Sequence, residues 1–220
     1  MPKPKKKSGA SRFLTTAVIL IVLIAVSYGI GYKTGYDKGA DSASRNRNIL
    51  LVNADNMLSP SYVPQDLVNL YEMRHSFRLA SSDIYMARDA YEPMQAMFFA
   101  AEQENVNGFI VTSAYRSYEK QQEIYLESEP GYAQKPGASE HQTGMCFDVT
   151  AMNSGDGFEN TEQYKWLRQN AHKYGFIQRY PANKSHITGI SYEPWHYRYV
   201  GVDAAEYIYR NNITLEEYLK

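Results

Sequence analysis

The sequence predicts an α+β domain, a small antiparallel sheet with flanking helices, preceded by one N-terminal transmembrane helix. Three observations carry that expectation. Residues 13–32 (FLTTAVILIVLIAVSYGIGY) contain no charged side chain. Beyond residue 49, segments with apolar residues three and four apart are interspersed with short β-branched runs. These helices and strands follow no strict βαβ order, which places the domain in the α+β class.

The apolar segment comes first. A helix rises about 1.5 Å per residue, so residues 13–32 match the roughly 30 Å hydrocarbon core of a bilayer. The segment has no polar face, as a buried core helix would. Lys3, Lys5, Lys6, Lys7 and Arg12 precede it without an acid among them, whereas Lys33, Asp37 and Lys38 follow as a mixed set. Positive residues stay inside, so residues 1–12 are expected as a cytoplasmic basic tail and the rest of the chain outside the cell. A cleaved signal peptide would have a shorter apolar region ending in a small-x-small site, and Ser27–Tyr32 offers none. An uncleaved, single-pass anchor at the cell membrane is therefore expected. Residues 33–48 (KTGYDKGADSASRNRN) read as a flexible stalk. The exported domain then spans residues 49–220.

At its start, residues 48–70 begin apolar and continue into Asn, Ser and Pro punctuation, an extended stretch followed by turns. Ile84, Ala87, Ala90, Met94, Met97, Phe98 and Ala101 give a helical pattern over 83–107, with Pro93 near its first turn or breaking it. FIVTSAY after Gly108 reads as a strand. SYEKQQEIYL (117–126) opens on a capping serine and reads as a helix, and PGYAQKPGASE (130–140) as a loop. MCFDVT (145–150) is a second strand. Residues 161–174 form an amphipathic helix capped by Thr161 and ended by Gly175. FIQRY and YRYVG are further strands.

Composition narrows the chemistry. With 23 Lys and Arg against 24 Asp and Glu, the net charge of −1 excludes a partner held by bulk charge, such as nucleic acid. The 20 tyrosines suit an aromatic-lined cleft or the rim of an ordinary core equally well. The single cysteine, Cys146, rules out an internal disulfide and reads as a small buried hydrophobe.

Three motifs carry potential chemistry. In Ser139-Glu140-His141-Gln142-Thr143-Gly144-Met145-Cys146-Phe147-Asp148, a loop histidine precedes a strand aspartate by seven positions. In Glu193-Pro194-Trp195-His196 a carboxylate stands three residues before a histidine, and Arg116 lies at a strand-to-helix turn. Two imidazoles and a carboxylate make a suitable set for catalytic zinc, which keeps a fourth position for water. A second carboxylate must then accept the water's proton, and Glu193 is close in sequence to His196. An arginine can hold the oxyanion on the scissile carbonyl. Singly, each residue also has a bland reading: a loop histidine, a turn carboxylate, a core histidine. Pro194 excludes the regular-helix geometry of an HExxH site. Spacing alone leaves a zinc hydrolase as one hypothesis among several.

Taken together, SAYRSYEKQ, SEHQTGMCFDVT and ITGISYEPWHYRYVG, in that order, resemble the VanY-type D-alanyl-D-alanine carboxypeptidases. These belong to a group that includes VanX dipeptidases and LD-carboxypeptidases of peptidoglycan. The resemblance runs from about residue 50 to about 205. It implies His141, Asp148 and His196 as ligands of one zinc ion, Glu193 as general base and Arg116 as the arginine that steadies the tetrahedral intermediate. It places Gln121, Ser139, Tyr180 and Trp195 at the substrate pocket. Cys146 is not expected as a zinc thiolate. His75, His172 and His186 match no motif position, and Arg198 frames the site. The implied activity is removal of the terminal D-Ala from peptidoglycan stem peptides or lipid-linked precursors, by a monomer. LD-carboxypeptidase action on tetrapeptides, cross-link endopeptidase action and a non-catalytic wall-binding module are the rivals.

Overall fold

The computed structural model describes residues 49–129, 133–155 and 157–220. The expected cytoplasmic tail, anchor and stalk lie outside them. Among the described residues, no helix is long and apolar enough to cross a membrane.

The core follows from the helical pattern at its N-terminal end. Strand β1 (Leu67–Asn69) pairs antiparallel with β3 (Tyr85–Ala87), with the short β2 (Arg78–Leu79) between them in sequence. Strand β3 runs directly into α1 (Arg88–Gln103), whose Ala90, Met94, Met97, Phe98 and Ala101 are buried along one face. Three- and four-residue spacing puts such side chains on one stripe, which is why this helix lies against the sheet. Pro93 sits inside α1 without interrupting it. The helix is shorter than the sequence pattern predicts, because residues 85–87 are taken into the two-stranded sheet.

After Gly108, whose φ is +82°, β4 (Phe109–Ser113) leads into α2 (Tyr118–Glu127), where Ser117 Oγ accepts from Lys120 N at 3.2 Å. A 3-10 turn (Glu140–Thr143) precedes β5 (Cys146–Ala151). Helix α3 (Glu162–Asn170) is capped by Thr161, which accepts from Tyr164 N at 3.2 Å. It passes into a 3-10 turn (Ala171–Tyr174), so the expected helix over 161–174 changes pitch near its end. Gly175 then takes φ +83°, and a Cβ there would lie 2.6 Å from the Tyr199 ring. Strand β6 (Phe176–Tyr180), the short α4 (Ser185–Thr188) and β7 (Glu193–Tyr199) follow. The chain ends in α5 (Val202–Asn211) and α6 (Leu215–Tyr218), neither of which the sequence reading anticipated.

The main sheet has five strands in the order β2-β4-β5-β7-β6. Its pairings are antiparallel except β2 with β4, which is parallel. The expected antiparallel sheet is therefore mixed at one edge. The two-residue β2 is too short to carry a periodicity signal.

Alternation along β5 and β7 gives the sheet two different faces. Phe147, Val149 and Ala151 join Phe98, Phe109, Phe176 and Tyr197 in the main hydrophobic core. The intervening residues, Cys146 and Asp148 on β5 and His196 and Arg198 on β7, belong to the opposite face.

Candidate metal centre

Strand register creates the site. Asp148 and His196 are directly opposed partners in the β5–β7 ladder, and Ser113 on β4 is paired with Asp148 from the other side. His141 comes from the 3-10 turn before β5. Gly144 closes that turn at φ +66°, where a Cβ would approach Ala87 N to 3.1 Å. The strand after the turn is thereby set at a fixed offset from His141.

The two imidazoles meet at one carboxylate. His141 Nε2 lies 3.2 Å from Asp148 Oδ2, and His196 Nδ1 lies 2.9 Å from Asp148 Oδ1. The ring centroids are 5.0 Å apart and nearly perpendicular, at 81°. His141 Nδ1 is engaged at 2.5 Å by the Ala114 carbonyl, which fixes the proton there and leaves Nε2 with its lone pair. The His141 carbonyl in turn accepts from Arg116 N at 3.1 Å, tying the turn to the end of β4. Glu193 Oε2 stands 3.8 Å from His196 Nδ1 and is partly exposed.

Electrostatics fit an ion between these groups. Burial alone would raise the Asp148 pKa, but the two imidazoles hold it well below the ordinary carboxylate range. Burial would lower His141, yet Cys146 and Asp148 raise it to about 9. His196 is likewise raised against burial, chiefly by Cys146 and Asp148. Glu193 behaves differently: burial pushes its pKa up, with His196 opposing.

Cys146 is closer to this chemistry than the sequence reading allows. Its thiol and one nitrogen from each of His141 and His196 lie within 4.8 Å of one another, and the three residues form a possible metal-holding group. Burial would raise the thiol's pKa, but the two imidazoles lower it to about 7. Strand alternation explains the placement, since Cys146 is two residues from Asp148 on the same face. Asp148 is the alternative third donor, its two oxygens reaching both imidazoles at the distances given above. The donor set His141, Asp148 and His196, with Glu193 beside it, fits the two-histidine, one-carboxylate pattern of an open catalytic zinc site.

The remaining site residues are distributed around this centre. Arg116 Nη1 donates to Gln121 Oε1 at 2.7 Å and Nη2 to Ser113 Oγ at 3.2 Å. Gln121 is 2% exposed and its amide nitrogen donates to the Gln134 carbonyl at 2.7 Å, so both ends of that side chain are engaged within the protein. It buttresses Arg116 from inside. Ser139 is buried at the start of the 3-10 turn. The Tyr180 ring is 5.0 Å from that of His196 and buried. Trp195 is 42% exposed on β7, where alternation sends it to the other side of the strand from its neighbour His196. The other histidines lie elsewhere: His75 bonds the Phe77 carbonyl, His172 stacks on Tyr209, and His186 is exposed.

Residues 83–202 match the family VanY, D-alanyl-D-alanine carboxypeptidase. The chain belongs to the VanY family. It is 38% identical over 175 residues to a D-alanyl-D-alanine carboxypeptidase of Enterococcus faecium, covering 78% of this chain and 57% of that protein. It thus spans little more than half the length of that relative. Among solved structures it resembles the LD-carboxypeptidase LdcB at TM-score 0.68 and 38% identity, covering 76% of this chain and 83% of that one. A VanY D,D-pentapeptidase mutant in complex with Zn(II) is similar at TM-score 0.62 and 35% identity, covering 77% and 97%. VanY membership accounts for the mixed fold of this chain.

A buried charge network stands behind the VanY-type centre, and the sequence reading missed most of it. Glu140, fully buried, places Oε1 2.8 Å from Arg179 Nε and 2.9 Å from Arg198 Nη1. Arg179 also reaches Glu216 on α6, with Nη1 2.9 Å from Oε2 and Nη2 2.5 Å from Oε1. Burial would raise the Glu140 pKa, but Arg179 and Arg198 keep it far below the ordinary carboxylate range. Arg198, expected to frame the site, contacts Glu140. Arg179 and Glu216 carried no signal, because they lie 37 positions apart and outside the three motifs.

Proposed function

We propose that the chain is a membrane-anchored zinc D-alanyl-D-alanine carboxypeptidase that removes the terminal D-Ala from peptidoglycan stem peptides or their lipid-linked precursors. The observation that carries this reading is one carboxylate, Asp148, contacting both imidazoles while a second, Glu193, stands on the His196 side without being needed as a ligand.

In this reading His141, Asp148 and His196 would hold zinc, which when bound would supply Lewis acidity and an acidified water. Glu193 is placed to take the proton of the attacking water and to return it to the departing amine. Burial shifts its pKa upward, the direction that suits a group that must both take and return a proton. Arg116, held by Gln121 and Ser113, offers its guanidinium to the oxyanion on the scissile carbonyl. Ser139 and Tyr180 form the adjoining pocket wall.

Two features support an extracytoplasmic anchor: twenty uncharged residues from Phe13 to Tyr32 and the basic cluster before them. A tether there would keep the domain beside nascent wall. LD-carboxypeptidase action is the second reading, favoured by the likeness to LdcB.

The test uses the full-length chain in detergent, with zinc content measured alongside cleavage of defined penta- and tetrapeptides. One zinc per chain with D-Ala release from the pentapeptide is expected. Release from the tetrapeptide alone would replace the DD reading with the LD reading. Absence of bound metal and of turnover would overturn both.

A further inference from the structure

The two imidazoles at the centre are oriented by different devices. His141 has its outer nitrogen on a backbone carbonyl, a common arrangement. His196 has its outer nitrogen, Nε2, facing Glu140 Oε2 at 3.6 Å, just beyond hydrogen-bond reach, and both buried atoms are without any hydrogen-bond partner, so a small approach would pair them. That carboxylate cannot rotate away. Its other oxygen faces Arg179 and Arg198, and Arg179 is itself clamped by Glu216 at the chain's C-terminal helix. Arg198 is fixed further by Nη2 donating to the Leu50 carbonyl at 2.8 Å and Nε to the Tyr199 carbonyl at 3.1 Å.

Two carboxylates and two guanidiniums make a neutral quartet, which offsets much of the cost of burying four charges. Apolar residues of similar volume would serve stability equally well. What they would not supply is an acceptor aimed at the rear of a metal-ligand imidazole. An acceptor there holds the proton on Nε2 and leaves the Nδ1 lone pair facing Asp148 and Glu193.

We infer that Glu140 is a positioning residue for the metal centre, setting the tautomer and direction of His196, and that Arg179, Arg198 and Glu216 exist to hold it there. The inference rests on the zinc reading given above. It makes α6 part of the catalytic apparatus, although α6 contributes no residue that touches substrate.

Glu140→Gln is a sharp probe because it preserves shape. The glutamine carbonyl would turn to the two arginines, leaving its NH2 facing His196. A donor in that position favours the opposite tautomer, with the proton on Nδ1 and the lone pair pointing away from the site. In the full-length chain we expect zinc affinity, read by competition with a chromophoric chelator, to fall about 10- to 100-fold. Imidazole 15N NMR of the zinc-loaded wild type should show His196 metal-bound through Nδ1 and protonated on Nε2. Binding through Nε2 in the wild type would overturn the inference even if the variant failed to fold. Wild-type zinc affinity in a folded Glu140→Gln protein would also overturn it while leaving the zinc reading intact. A wild type that takes up no zinc would remove both together.

Discussion

The two faces of the five-stranded sheet are built from neighbouring residues and answer to different physics. On one face Phe147 packs edge-on against Phe98 and Phe176, with ring centroids 5.7 and 5.3 Å away, and stacks on Tyr197. On the other, one residue along, Asp148 stands between two imidazoles. The first face is redundant, since many apolar side chains share the burial and no single direction matters. The second depends on direction at every atom. It carries buried charge held in place by other buried charge, through Glu140, Arg179, Arg198 and Glu216. Substitutions on the first face should therefore register as stability and those on the second as chemistry.

Glu193→Gln should separate the two most strongly. Loss of the proton acceptor is expected to lower kcat by about 10²- to 10⁴-fold, with zinc content and melting temperature close to wild type. An unchanged kcat would show that another group takes the proton. Phe147→Ala is the counterpart on the apolar face. It should cost about 3–5 kcal/mol of unfolding free energy in denaturant titration, and whatever protein remains folded should keep near-normal kcat.

The pH profile gives a subtler contrast. Burial raises the Glu193 pKa, so its basic form is lost at a higher pH than for an ordinary carboxylate. The acid limb of kcat/KM should accordingly lie above that of an ordinary carboxylate, and by linkage the contribution of Glu193 to stability should fall as pH rises through the same window. A limb at the ordinary carboxylate position would assign it to a different group. The smallest effect is expected at Cys146. With Asp148 serving as the third ligand, Cys146→Ala should leave zinc affinity and kcat within a few-fold of wild type. A larger loss of affinity would make the thiol a ligand in its own right.

Much of the apolar face was legible beforehand, because three- and four-residue spacing in α1 and alternation in β5 are local signals. The capping residues Ser117 and Thr161 likewise mark the starts of α2 and α3 where expected. The mixed edge at β2 and the two C-terminal helices were not legible, being too short or outside any motif. At the centre, the residue types and order of His141, Asp148, Glu193 and His196 were readable, and family resemblance gave them roles. Gln121 is the instructive exception. It was expected at the pocket wall but is engaged at both ends behind Arg116.

By itself the sequence determined which side chains are available: two histidines, two carboxylates and an arginine in family order, and a helix-forming stripe to cover one side of a sheet. The tertiary structure decided which atoms face each other. Opposition of Asp148 to His196 depends on the β5–β7 register, and the backing of His196 by Glu140 depends on a C-terminal helix returning to clamp Arg179. Such contacts join positions far apart along the chain, and only closing the sheet brings them within reach of a Coulombic interaction in a dry interior.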